Sequence, residues 1–171
     1  MNPKLSFLFI VLLTLTISCS KEKIYSNSSI YFNSFENSSD ISNLDGYGFM
    51  MSDGTPVNGG DSSLMVGGAC IQPALFFELG PFDEDKILSF NTYAKMLEIE
   101  GVNWQGGRIT LSLVNDRDKK IRIFISDLTW TYYQTENKLE VPSGEKIYID
   151  FSIGGYSTHV ALIDLFQIES E

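Results

Sequence analysis

The sequence predicts an all-β domain, a sandwich or barrel of short antiparallel strands, and three observations predict it. From Ile30 onward apolar residues recur at every second position. Glycine-, proline- and Asx-rich turn signals separate these runs, and no stripe of helical spacing reaches a useful length. Successive side chains of a strand point to opposite faces, so a period of two leaves one face to bury and one free to be polar. Many short runs of this kind between turn signals are the pattern of antiparallel sandwiches and barrels.

The chain has 171 residues and begins with a separate element. Lys4 is the only charge before Lys21, and between them Leu5 to Ile17 is almost wholly apolar or hydroxylic. That run is short of the roughly 20 apolar residues of a spanning helix and has the length and flanks of a secretory signal. Leu15-Thr16-Ile17-Ser18-Cys19 resembles a bacterial lipoprotein box, with a small residue directly before the cysteine. The resemblance implies that residues 1–18 are a signal peptide and that Cys19 carries lipid on its thiol and amine. Each buried methylene adds about 0.8 kcal/mol, so two or three chains hold a protein to a membrane where one holds it only marginally. Residues 19–28, polar and of mixed charge, then form a tether, and residues 29–171 one domain. The expected location is the bacterial cell envelope, at the outer membrane on its periplasmic or surface side, with lipid as the only membrane contact.

Within the domain the strands follow in order. Ile87 to Ala94 alternates with Leu88, Phe90 and Ala94 on one side; Arg108 to Leu113 places Ile109, Leu111 and Leu113 inward. Ile121-Arg122-Ile123-Phe124-Ile125 and Ile147 to Ile153 repeat the alternation. Lys95 to Glu100 fits either a helical turn or a strand end. Asp53-Gly54, Gly59-Gly60, Gly80-Pro81 and Pro142-Ser143-Gly144 punctuate the runs with turn chemistry. By parity Tyr148, Asp150, Asn91, Tyr93 and Arg122 face away from the core and are candidates to line the outer face of one sheet.

Composition narrows the function. The net charge is −10 at pH 7, which opposes nucleic acid and anionic lipid headgroups. There are two cysteines, and with Cys19 lipidated Cys70 has no partner, so the fold rests on its core without a disulfide. Cys70, flanked by apolar residues, reads as buried packing. His159 is the single histidine, and no zinc, phosphate-loop or paired-cysteine motif is present. Asp83-Glu84-Asp85 and the Asp116–Lys120 segment read as solvated turns. The sequence points to a protein that is not an enzyme.

Three separated stretches resemble the galactose-binding-like jelly rolls, which include many non-catalytic carbohydrate-binding modules. They are Asn33-Ser34-Phe35-Glu36, then Lys86 to Lys95, then Leu128 to Tyr133 with Val141-Pro142-Ser143-Gly144, Ile147 to Phe151 and Val160 to Phe166. The resemblance implies two antiparallel sheets packed as a jelly-roll sandwich with first and last strands adjacent. It also implies a structural Ca²⁺ held by Glu36 and Asp164, since Ca²⁺ takes six to eight oxygen ligands and two carboxylates plus loop carbonyls supply them. A flat ring suits the C–H face of a sugar, so Trp104, in a Gly-flanked loop, is the first candidate for ligand contact, with Tyr93, Tyr148 and, more weakly, Tyr156 after it. Asn91, Arg122 and Asp150 are candidates to hydrogen-bond hydroxyls. Trp130 is expected in the core. Two functions follow: a glycan-binding module of the envelope, or a structural or protein-interaction module there without a sugar site.

Overall fold

The computed structural model describes residues 29–67, 74–97, 106–153 and 160–171. Cys19, Cys70, Trp104, Tyr156 and His159, with the signal and tether, lie outside the described residues. Twelve strands run in chain order: β1 (Ser29–Asn33), β2 (Asp45–Gly46), β3 (Phe49–Ser52), β4 (Ser63–Gly67), β5 (Leu75–Leu79), β6 (Lys86–Leu97), β7 (Gly107–Leu113), β8 (Lys120–Ile125), β9 (Thr131–Gln134), β10 (Leu139–Val141), β11 (Ile147–Ile153) and β12 (Val160–Ser170). The helix among the described residues is one 3₁₀ turn at Ser38–Ile41. Lys95 continues as strand, resolving the ambiguity at that point up to Leu97.

The strands form two sheets. In the larger, β12 pairs with β6 on one side and with β1 and β4 on the other; β3 extends β4, while β9 and β10 share the far edge of β6. The smaller sheet has the order β2-β5-β11-β7-β8. Every pairing is antiparallel. The first and last strands are neighbours, with Asn33 opposite Phe166. The architecture is the two-sheet antiparallel sandwich expected from the sequence.

The core lies between the sheets and follows the period of two. Ile109, Leu111 and Leu113 of β7, Ile121, Ile123 and Ile125 of β8, and Ile147, Ile149 and Phe151 of β11 are buried, as are Leu88, Phe90, Ala94 and Met96 of β6. An aromatic chain crosses the sandwich. Phe166 is fully buried, with ring centroids 5.4 Å from Phe151, 5.7 Å from Phe90 and 5.9 Å from Tyr31. Tyr31 in turn lies 5.2 Å from Phe77 of the opposite sheet. Trp130 is not part of this core: it is partly exposed, with Lys95 Nζ 5.3 Å from its ring centroid. A large ring beside a cation keeps its apolar face covered without entering the interior.

A bulge gives β12 two parities. Ala161 and Ile163 point inward, the register with β6 shifts between Asp164 and Gln167, and thereafter Phe166 and Ile168 point inward. Leu165, at the shift, has φ 51, a left-handed conformation that is costly for a residue with a branched side chain. Replacing Phe166 by Ala should therefore unsettle both sheets. The expected loss is about 3–5 kcal/mol, the range for truncating a buried aromatic, and chemical denaturation of Phe166→Ala against the parent reads it directly.

Candidate functional site

The outward positions of the smaller sheet form a continuous surface built from four of its five strands. Phe76 and Glu78 of β5, Tyr148, Asp150 and Ser152 of β11, Arg108, Thr110 and Ser112 of β7, and Lys120, Arg122 and Phe124 of β8 alternate with the core residues just described. Register sets them in rows. Glu78, Tyr148, Ser112 and Lys120 align; Phe76, Asp150, Thr110 and Arg122 align; Ser152, Arg108 and Phe124 align. Thr110, Ser112 and Ser152 are buried although they point away from the core, because longer side chains stand around them. The surface thus has a floor of hydroxyls with aromatic and charged residues rising from it.

Its aromatic residues are placed by that register. Phe76 and Tyr148 are diagonal neighbours whose rings stack with centroids 5.6 Å apart and planes 25° apart. Phe124 is 65% exposed at the opposite edge. The Arg117 guanidinium, from the turn between β7 and β8, lies 3.5 Å from the Tyr148 ring centroid, and its Nη1 donates to Ser112 Oγ at 3.4 Å. The hairpin tip that reads from sequence as a solvated turn therefore sends its arginine back over the sheet. Burial first, then the Asp150 and Glu78 carboxylates, raise the Tyr148 phenol above its ordinary pKa, against the lowering pull of Arg117. The hydroxyl stays protonated at neutral pH and can donate a hydrogen bond. Asp150 Oδ1 accepts from Ser152 Oγ at 2.8 Å, and Lys146 pairs with Glu78 at 3.3 Å.

The residues expected to line one face fall on two. Tyr148, Asp150 and Arg122 share the outer face of the smaller sheet. Asn91 and Tyr93 lie on β6, in the larger sheet, and belong to the opposite side of the sandwich. There Tyr93 packs against Tyr132 with centroids 5.3 Å apart, and Asn91 is buried opposite Gln167 and Gln134. Alternation fixes which way a residue points within its own strand but not which sheet the strand joins, so parity alone merged the two. Phe76, Arg108, Arg117 and Phe124 were missed. Phe124 and Arg108 share the outward parity of Arg122 within their alternating runs, which was the available signal; Arg117 lies in a turn and gave none.

Glu36 and Asp164 do come together, on the outer side of the larger sheet beneath the 53–61 loop. Asp164 is fully buried; its Oδ1 accepts from the Leu165 amide at 2.6 Å, and Thr92 Oγ1 donates to its carbonyl at 2.8 Å. Glu36 Oε2 accepts from the Asp61 amide at 2.9 Å. Both carboxylates press against a diglycine: a Cβ at Gly59 would lie 2.3 Å from Asp164 Oδ2, and one at Gly60 1.8 Å from Glu36 Oε1. Gly60 has φ 87, so glycine is required there both for conformation and for space. Among the described residues no three Asp, Glu, His or Cys side chains cluster closely enough to hold a metal ion. Two carboxylates against loop backbone are an oxygen-only donor set, suited to Ca²⁺ provided backbone oxygens and water complete the shell.

The acidic turn at 83–85 is structural. Asp85 Oδ1 accepts from the Ser143 amide at 2.8 Å, the Asp83 carbonyl accepts from Ser143 Oγ at 2.9 Å, and Glu84 pairs with Lys86. A hollow of about 660 Å³ lies at the sandwich edge, between Tyr31 and Asn33 on one side and Phe76 and Glu78 on the other.

No protein-family model matches the sequence, and no curated protein matches it. Solved structures do. The C-terminal family 22 carbohydrate binding module of Clostridium thermocellum Xyn10B aligns with a TM-score of 0.58 at 17% identity, covering 85% of this chain and 95% of that one. The chain shares this jelly-roll fold. The CBM22-1 xylan-binding domain of Paenibacillus barcinonensis Xyn10C aligns with a TM-score of 0.53 at 14% identity over 83% of this chain and 94% of that one. The CBM22-1 and GH10 modules of C. thermocellum Xyn10B, complexed with xylohexaose, give a TM-score of 0.60 at 14% identity, over 85% of this chain and 29% of that longer one. The resemblance to carbohydrate-binding-module jelly rolls thus holds for the architecture.

Proposed function

We propose that this protein is a non-catalytic glycan-binding module, held at the bacterial cell envelope by lipid on Cys19. The observation that carries the reading is the outer face of the smaller sheet. Phe76, Tyr148 and Phe124 offer apolar ring surface to sugar C–H groups, and Asp150, Arg122 and the Tyr148 hydroxyl flank them with acceptors and donors for hydroxyls. The shared fold with xylan-binding modules supports this use of the face but says nothing of which sugar binds. Binding without cleavage fits the placement of the acids: glycoside hydrolysis takes two carboxylates free to act across the scissile bond. Here Asp150 is engaged by Ser152 and Glu78 by Lys146. Trp104 stays a candidate for ligand contact from the loop between β6 and β7. The second reading, a protein-interaction module of the envelope, draws support from the other face, where Tyr132 is 48% and Met50 54% exposed.

A Ca²⁺ ion belongs to the same proposal, as a structural element held by Glu36 and Asp164. It would join the segment after β1 to the bulge of β12, and so tie the two ends of a domain whose residues 29–171 include a single cysteine. Its role is stability rather than contact with ligand, because it sits on the sheet opposite the aromatic face.

Three outcomes are expected. On a glycan array the purified protein binds at least one polysaccharide class, and Tyr148→Ala weakens that binding about tenfold, the cost of losing roughly 1–2 kcal/mol of stacking and hydrogen bonding. An array without signal, calcium present, favours the protein-interaction reading. Chelation lowers the melting temperature by about 5–10 °C if calcium is held at a hundred times its dissociation constant, since that occupancy is worth about 2.7 kcal/mol; an unchanged temperature removes the ion. Cys19→Ser moves the protein from the membrane fraction to the soluble fraction, and a variant still found in membranes refutes the anchor.

A further inference from the structure

The chain contains three arginines, Arg108, Arg117 and Arg122, and all three belong to the outer face of the smaller sheet. Arg108 is registered with Ser152 and Phe124, Arg122 with Thr110, so the first and last are diagonal neighbours about 7–8 Å apart at their bases. Arg117 reaches the same surface from the turn and lies over Tyr148. Among the described residues none of the three has a carboxylate within ion-pairing distance, whereas Lys86, Lys119, Lys120, Lys138 and Lys146 each have one. Arg108 Nε is buried without a hydrogen-bond partner, so packing rather than a counter-charge holds this side chain.

Three of the neighbouring acids are engaged within the domain. Lys120 pairs with Asp118 at 3.7 Å, Lys146 with Glu78 at 3.3 Å, and Ser152 hydrogen-bonds Asp150 at 2.8 Å. A guanidinium presents a planar fork of donors matched to a carboxylate, and with no carboxylate partner among the described residues that fork suits one on a ligand. The aromatic rings beside the arginines call for a ligand with apolar faces as well as negative charge.

We propose that this face binds an acidic polysaccharide, its uronic carboxylates held by Arg108, Arg117 and Arg122 while its sugar rings lie on Phe76, Tyr148 and Phe124. The inference rests on the glycan reading of the same face and adds the ligand's charge class. Single-stranded nucleic acid also combines rings with anions, but it carries its charge on a backbone apart from its flat rings, whereas a uronic acid carries a planar carboxylate on the same ring that would lie on the aromatic residues, and the guanidinium fork matches that group bidentately.

The test is a titration of the purified protein with polygalacturonate, alginate and glucuronoxylan, each beside its carboxyl-reduced counterpart, and with neutral xylan and single-stranded DNA. At least one acidic polymer is expected to bind about tenfold or more tighter than its reduced form, and the advantage should shrink as salt is raised. Arg122→Gln and Arg108→Gln should each remove about tenfold of that affinity with the melting temperature unchanged. The comparison of native and reduced polymers on the unaltered protein decides the matter if a variant fails to fold. Equal binding of a polymer and its reduced form, or binding of neutral xylan alone, overturns the acidic ligand and leaves the glycan module standing. DNA bound more tightly than every polysaccharide overturns the ligand class. No binding of any polymer overturns both readings.

Discussion

The bulge between Asp164 and Gln167 exchanges the two faces of the last strand partway along it. Before it, odd-numbered residues enter the core; after it, even-numbered ones do. The exchange puts Phe166 at the centre of the aromatic chain that joins the sheets, and it turns Asp164 outward beneath the Gly59-Gly60 loop. Left-handed backbone at Leu165 costs about 1–2 kcal/mol. The Asp164 carboxylate accepting from the Leu165 amide and the full burial of Phe166 offset that cost. Phe35 is left-handed too, with φ 53, and its amide is taken by Asn33 Oδ1 at 2.8 Å. The two carboxylates of the candidate ion site thus each follow or precede a residue in a conformation that side chains seldom adopt, at the two ends of the domain.

This arrangement explains what was legible in the sequence and what was not. The inward residues of β7, β8 and β11 follow strict alternation and could be read without ambiguity. Alternation fails at the bulge, since a period of two carried through Val160 to Phe166 would point Leu165 inward in place of Phe166. The convergence of Glu36 and Asp164 came from a family resemblance, not from pattern, because the residues are joined by pairing between the first and last strands. The site was partly visible for a similar reason. Tyr148, Asp150 and Arg122 have the right parity on strands that share a sheet. Asn91 and Tyr93 have the same parity on a strand of the other sheet, and sheet membership is a property of topology that a local period does not carry. Trp130 was expected inside because it lies in a stretch shared with the resembled jelly rolls, but a ring beneath Lys95 is shielded enough at the surface.

The two outer faces have different chemistry because their strands were built from different turns. The smaller sheet receives the β7–β8 hairpin, whose tip returns Arg117 over Tyr148. The larger sheet receives the 53–61 loop, whose glycines admit Glu36 and Asp164 at close range. One face is left open with aromatic rings and cations; the other is partly roofed, with Asp164 withdrawn from solvent. A division of this kind lets one side of a small sandwich hold the chain together while the other stays available for contact.

Charge sharpens that division. A protein of net charge −10 should repel polyanions at long range. At physiological salt, however, charges more than about 8 Å apart are largely screened from each other, and the sheets of a sandwich are themselves about 10 Å apart. Carboxylates on the far side therefore contribute little to the potential at the arginine face. What governs there is the local set: three guanidinium groups without ion-pair partners among the described residues, beside Glu78 and Asp118 paired with lysines and Asp150 hydrogen-bonded to Ser152. Five lysines of the domain serve as counter-ions to nearby acids and Lys95 lies over Trp130, whereas the arginines, confined to one hairpin, have no ion-pair partner among the described residues. The sorting of lysine to pairing and arginine to an open surface is what gives an acidic molecule one cationic side.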